Sequence, residues 1–160
     1  MAKKSGMLPV KLKDSSLLKN NLLLILPLIN FIIFTALGLL HFYWAIGGEY
    51  GFSVSLPTKE NGERVLNPKK IDSAIVGLGL ISFGAFYLLK TELIEYTLPN
   101  WITTYGGWII PSIFLLRALG DFKYVGFFKQ VTKTNFAYMD TKYFSPLCLI
   151  IGIIGLLIQM

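Results

Sequence analysis

Four stretches without a charged residue constrain this chain more than any other feature: Leu22–Leu40 (19 residues), Ser73–Leu89 (17), Tyr96–Leu116 (21) and Tyr143–Met160 (18). An α-helix needs roughly 20 apolar residues to cross a hydrocarbon core of about 30 Å. Four such runs within 160 residues leave a water-soluble bundle no polar faces to present. The composition agrees, with 54% hydrophobic and only 15% charged residues, far from the balance of a soluble domain. The expected fold is all-α, a bundle of four transmembrane helices at about 22–46, 71–89, 98–119 and 144–160. Together they form a single membrane domain over 1–160, placed as a multi-pass protein in the cell membrane. The first run is too long for a signal-peptide core and leads into "HFYWAIGGEY" without a small-residue cleavage site, so it is expected to stay in the mature protein.

The net charge of +6 suggests nucleic acid only if the membrane is ignored. All fifteen Lys and Arg lie outside the four runs, where they meet lipid phosphates; membrane lipids are the expected partners and nucleic acid is not. Cys148 is the one cysteine, which excludes an intramolecular disulfide and a multi-cysteine metal motif. It reads as a small packing residue, and neither a metal nor another cofactor is expected.

The segment before the first helix, Met1–Asn21, holds five lysines against Asp14 and reads as a flexible or interfacial basic tail. Pro27 and Asn30 interrupt the first helix, where the missing backbone donor predicts a kink. The first loop, with "LPTKENGERVLNPKK", has the Pro, Asn, Gly and charge content of a solvated connector with a short hairpin. Asp72 suits the positive end of the second helix. Ser73 and Gly77, Thr103 and Gly107, and Cys148 and Gly152 offer small faces for close helix approach. The short second connector makes helices two and three antiparallel neighbours, and Ser145-Pro146 reads as the start of helix four. "ALG" recurs at Ala36–Gly38 and Ala118–Gly120, a faint echo that two related hairpins could produce.

In this topology helices one and three run the same way, so their ends emerge on one membrane face. That face gathers His41, Tyr43, Trp44, Glu49, Arg117, Asp121, Tyr124, Lys129 and Asp140, the candidate ligand-binding residues. Arg117 and Asp121 are four apart, the spacing of an ion pair on one helical face. They are expected to form a polar cluster with His41 and Asp140, sealed by residues 122–144. His41 is the candidate acid/base, though its neighbours Phe42, Tyr43 and Trp44 also fit an aromatic belt. The aromatic residues between Phe122 and Phe144, interleaved with Lys123, Lys129, Lys133 and Lys142, suit the headgroup layer. They predict an amphipathic or re-entrant segment capping the bundle.

"HFYWAIGG" (His41–Gly48), "LRALGDFKYVGFFK" (Leu116–Lys129) and "FAYMDTKYFSPLCL" (Phe136–Leu149) resemble a bacterial family of small four-helix membrane proteins known as a domain of unknown function. The resemblance implies fold and membrane location and brings no activity. The charged first loop and the lysine-rich tail depart from the family.

Three functions compete. The first is a non-enzymatic protein that binds a lipid-like ligand or a partner helix in an aromatic-lined groove between helices one and three. The second is a membrane enzyme acting on a lipid-borne group, with His41 as acid/base and Arg117 or Lys129 holding an anionic head. A channel or transporter ranks third, because four spans with charges only at helix ends need oligomers to make a pore. Six Lys and Arg on the tail side against nine on the His41 side lean toward a cytoplasmic His41 face, against the resistance of the tail to translocation.

Overall fold

A computed structural model describes residues 10–91, 93–95 and 98–160, with side chains from residue 21 onward. The helices are α1 (Val10–Ala45), α2 (Lys70–Leu89), α3 (Asn100–Leu119), α4 (Asn135–Met139) and α5 (Ser145–Gln159). A five-residue π-helical turn, Asp140–Phe144, joins α4 to α5. The segments long and apolar enough to cross a membrane are Asn21–Ala45, Lys70–Leu89, Asn100–Leu119 and Asn135–Gln159. Among the described residues the chain is therefore all-α, with four helices each long and apolar enough to span a membrane, as the uncharged runs require.

Two boundaries differ from expectation. Part of the basic tail, residues 1–9, lies outside the described residues, and from Val10 the chain is already helical. The fourth span begins at Asn135, well before Ser145-Pro146, where Thr134 Oγ1 accepts a hydrogen bond from the Ala137 N–H at 3.0 Å. Proline misleads here because the wider turn accommodates it. The Ser145 N–H reaches back five residues to the Asp140 carbonyl, so a residue without a donor can follow without breaking the rod. Likewise α1 continues as helix through Pro27.

Small residues set the helix pairing. α1 lies along α2 and α3 along α5, and α1 also touches α5. At the first crossing, a Cβ on Gly38 would stand 3.1 Å from the Gly77 carbonyl, and one on Gly77 would stand 3.2 Å from the Gly38 carbonyl. At the second, a Cβ on Gly155 would stand only 2.8 Å from Pro111, and one on Gly152 would meet Leu115 at 2.6 Å. Without a hydrophobic drive between helices in lipid, this close backbone packing supplies the attraction. The two "ALG" copies share no role, because Gly38 is a helix-crossing residue while Gly120 ends α3 with φ 93°.

Between the pairs lies an aromatic core. The Phe34 ring is 5.0 Å from Phe114, 5.8 Å from Phe83 and 5.7 Å from Tyr87. Asn30, fully buried, donates to the Ile151 carbonyl at 3.4 Å and ties α1 to α5. At the end of α2, Lys90 donates to Gln159; burial pushes the Lys90 ammonium below its ordinary pKa. The other face carries both long loops. Loop one holds a 3-10 turn, Ser53–Ser55, which packs against α4, and a small hairpin closed by a Thr58–Arg64 bridge.

Candidate functional site

Immediately after α3 the chain closes a tight ring. Gly120 and Gly126 both have positive φ, 93° and 89°, a region open to glycine at little cost. Their backbones touch, so that a Cβ on Gly120 would fall on the Val125 carbonyl and one on Gly126 on the Leu119 carbonyl. The Phe127 N–H donates to the Ala118 carbonyl at 2.9 Å and locks the ring to the helix. Inside it, Asp121 Oδ1 accepts from the N–H groups of Lys123, Tyr124 and Val125 at 2.9, 2.7 and 2.9 Å. Burial pushes the Asp121 carboxyl up, but the Val125, Lys123 and Tyr124 N–H bonds outweigh it and hold it below its ordinary range. Every glycine and the aspartate of "GDFKYVG" thus has a geometric reason to be there.

The ring presents the Gly126 peptide to a buried ionic cluster centred on Asp140, which is 0% exposed. Asp140 Oδ1 accepts from Arg117 Nη2 at 2.7 Å. Its Oδ2 accepts from Lys129 Nζ at 3.0 Å, the Gly126 N–H at 2.9 Å and Ser145 Oγ at 3.0 Å. Lys129, whose side chain is 2% exposed, also donates to the Gly126 carbonyl and to Thr141 Oγ1 at 2.8 and 2.7 Å. The five-residue turn places Asp140 and Ser145 on the same inward side. A carboxylate offers about four acceptor sites and an ammonium three donors; Asp140 accepts four bonds, three of them on Oδ2, and Lys129 uses all three of its donors.

This arrangement corrects the expected Arg117–Asp121 pair. The i,i+4 rule requires a helix, and α3 ends at Leu119 with Gly120 out of helical conformation. Asp121 therefore turns to its own loop, and Arg117 takes Asp140, 23 residues on. Nor does His41 join them through a hydrogen bond; its Nδ1 bonds the Leu37 carbonyl at 2.9 Å, and its ring stands edge-on to Trp44 at 4.8 Å. Because a carbonyl only accepts, Nδ1 carries the proton, and in the neutral ring Nε2 is the acceptor.

A cavity of about 810 Å³ brings His41 and Arg117 together as parts of one wall. It extends beyond the groove between helices one and three: α2 contributes Leu80 and Phe83, α5 Leu147 and Cys148, and loop one Phe52 and Leu56. Loop one is therefore more than a solvated connector. The Leu56-Pro57 pair inside its charged sequence was the available signal, and both residues are buried. Trp44, buried, donates from Nε1 to the Tyr50 carbonyl at 2.9 Å and stacks edge-on with Phe52, which pins the loop over the cavity. On the other side of the Trp44–Phe52 pair, a second cavity of about 430 Å³ is rimmed by Glu49, Arg64, Lys69 and Lys70.

The remaining candidates lie apart from the ionic cluster. Tyr43 is exposed and its ring covers Gly48, Glu49 is exposed, and half-buried Tyr124 has the Lys123 ammonium 5.3 Å from its ring centre. The expected aromatic cap divides in two. Phe122, Phe127 and Phe128 are exposed on the loop, whereas Phe136 is buried in the fourth helix. Phe122 itself takes φ 62°, a conformation rarely adopted by an aromatic residue. Gly126, Thr141 and Ser145 belong to the cluster without being expected there: in the sequence Ser145 reads only as a helix start, and Gly126 and Thr141 only as parts of longer motifs.

Residues 34–155 match the model of a family described as a protein of unknown function, DUF3995, and the chain belongs to that family. No curated protein and no solved structure matches it.

Proposed function

We propose that this DUF3995 member, a multi-pass protein of the cell membrane, binds a single lipid-like molecule in the cavity between its four spanning helices. The observation that carries the reading is the cavity itself: a partly open cleft of about 810 Å³, walled largely by apolar side chains such as Leu37, Leu80, Phe83 and Phe114, and bordered by loop one. A mostly apolar cavity with a few polar groups at one end is the usual form of a site for an amphipathic ligand. Along α2 the lining runs from Asp72 to Phe83, about 16 Å at the helical rise, enough for an extended hydrocarbon tail.

Binding without chemistry is favoured over catalysis by the state of the carboxylates. An acid/base at His41 needs a partner to orient it or exchange protons, but Asp140 already accepts from four donors, Asp121 is bound to its own loop, and Asp72, which shares the cavity, caps α2 by accepting from the Lys69 N–H at 2.7 Å. The test is native mass spectrometry of the protein extracted in mild detergent, comparing wild type with Leu80→Trp, which fills the cavity. We expect a co-purifying lipid-sized adduct on the wild type and its loss from the folded variant. Equal adducts on both proteins would place the lipid elsewhere and end this reading.

A further inference from the structure

We infer that the ligand's polar end is anionic, a carboxylate or a phosphate, and that it is held by Arg117. The inference rests on the cavity-binding reading and adds the chemistry of the head. The cluster contains two cations and one carboxylate, Arg117 and Lys129 against Asp140. It therefore carries an excess positive charge at the end of a spanning helix, where charge is tolerated when paired or hydrated. Lys129 is sealed inside, with its three donors assigned to Gly126, Asp140 and Thr141. Asp140 already accepts from Arg117, Lys129, Gly126 and Ser145, and as a carboxylate it has no donor to offer an anion.

Of the two cations, Arg117 has donor capacity left. It spends Nη2 on Asp140, while its Nη1 is buried without a hydrogen-bond partner among the described residues. It is also the one member of the cluster that lines the large cavity, and 32% of its side chain is accessible. An Arg fork fixed on one side by a buried carboxylate is preorganised to receive an oxyanion on the other, because its orientation is set before the ligand arrives. A neutral head leaves the excess charge uncompensated, and a cationic head adds to it. The tail then lies toward Leu80 and Phe83.

The experiment uses delipidated full-length protein in detergent micelles, titrated with oleate, oleoyl lysophosphatidate, oleoyl lysophosphatidylcholine and oleyl alcohol, and read by native mass spectrometry. The two anions separate carboxylate from phosphate ester as the source of the charge. Wild type should bind the better anion about tenfold or more tightly than oleyl alcohol, the worth of one charge-assisted hydrogen bond. Arg117→Gln should remove that preference while keeping the affinity for oleyl alcohol. Equal wild-type affinity for anionic and neutral probes would overturn the inference and leave the binding reading standing, and it needs no variant to fold. Failure of every probe to bind would overturn both. Loss of the anion preference in Arg64→Gln/Lys69→Gln/Lys70→Gln, with Arg117→Gln unaffected, would move the head to the outer cavity and also overturn it.

Discussion

The two loops on the Arg117 face are of different physical kinds. Loop one is held by local contacts: a small hairpin, an exposed Lys59–Glu63 pair at 3.0 Å, and Trp44 donating to the Tyr50 carbonyl. The second long loop, 120–134, is held from within, by Asp121 on its own backbone and by Lys129 buried on Asp140. An exposed ion pair gains little because water competes for both charges. A buried one is costly to break from one side, since the remaining charge is stranded. The six charged residues of 46–69 therefore add little to holding their loop, whereas two of the four in 120–134, Asp121 and Lys129, fix theirs as a clamp.

The sharpest way to break the contrast is to remove the centre of the clamp. Asp140→Ala strands two cations and should cost about 3–5 kcal/mol, measured as unfolding in detergent by tryptophan fluorescence. Gly126→Ala comes next, because its new Cβ meets the Leu119 carbonyl at a positive φ; strain of about 1–3 kcal/mol is expected. Asp121→Ala removes the acceptor for three N–H groups and should cost about 1–2 kcal/mol, comparable to losing a helix cap. Last, Lys59→Met in loop one should change stability by less than about 1 kcal/mol. A Lys59 effect as large as that of Asp140 would erase the distinction between the loops.

Acid sharpens the same comparison. The Asp121 carboxyl is held below its ordinary 3.8 in the folded chain. Its contribution is therefore present above that ordinary value and is lost as the pH falls through the lowered one. Asp121→Asn should flatten the stability curve below about pH 4, followed by circular dichroism. A double-mutant cycle should give coupling between Arg117→Met and Asp140→Asn and near-additivity between Arg117→Met and Asp121→Asn.

The spans were legible because lipid demands one simple property, an uncharged run of sufficient length, and Leu22–Leu40 or Tyr96–Leu116 state it directly. The Arg117 face was legible for a related reason: parallel helices must emerge together. The partner of Arg117 was not, because sequence distance favours Asp121 until the chain is seen to leave the helix at Gly120. Burial of Lys129 gave no local signal either, since a lysine among aromatics looks interfacial. Only the return of the fourth helix, with Asp140 on its inner side, takes that ammonium out of water.

The wide turn at Asp140–Phe144 also sets the rotational phase of everything after it. Each residue advances an α-helix by about 100°, and a π-helical turn inserts one residue beyond the regular count. Upstream of it the inward side carries Phe136 and Asp140; downstream it carries Ile151, Gly152 and Gly155. Deleting one residue from Thr141–Phe144 would restore a regular helix and swing the two sets about 100° apart, so that either the carboxylate or the glycine face could meet α3, but not both. A one-residue deletion here should therefore be far more damaging than most substitutions within the same turn, an asymmetry that a scan of deletions and replacements would expose.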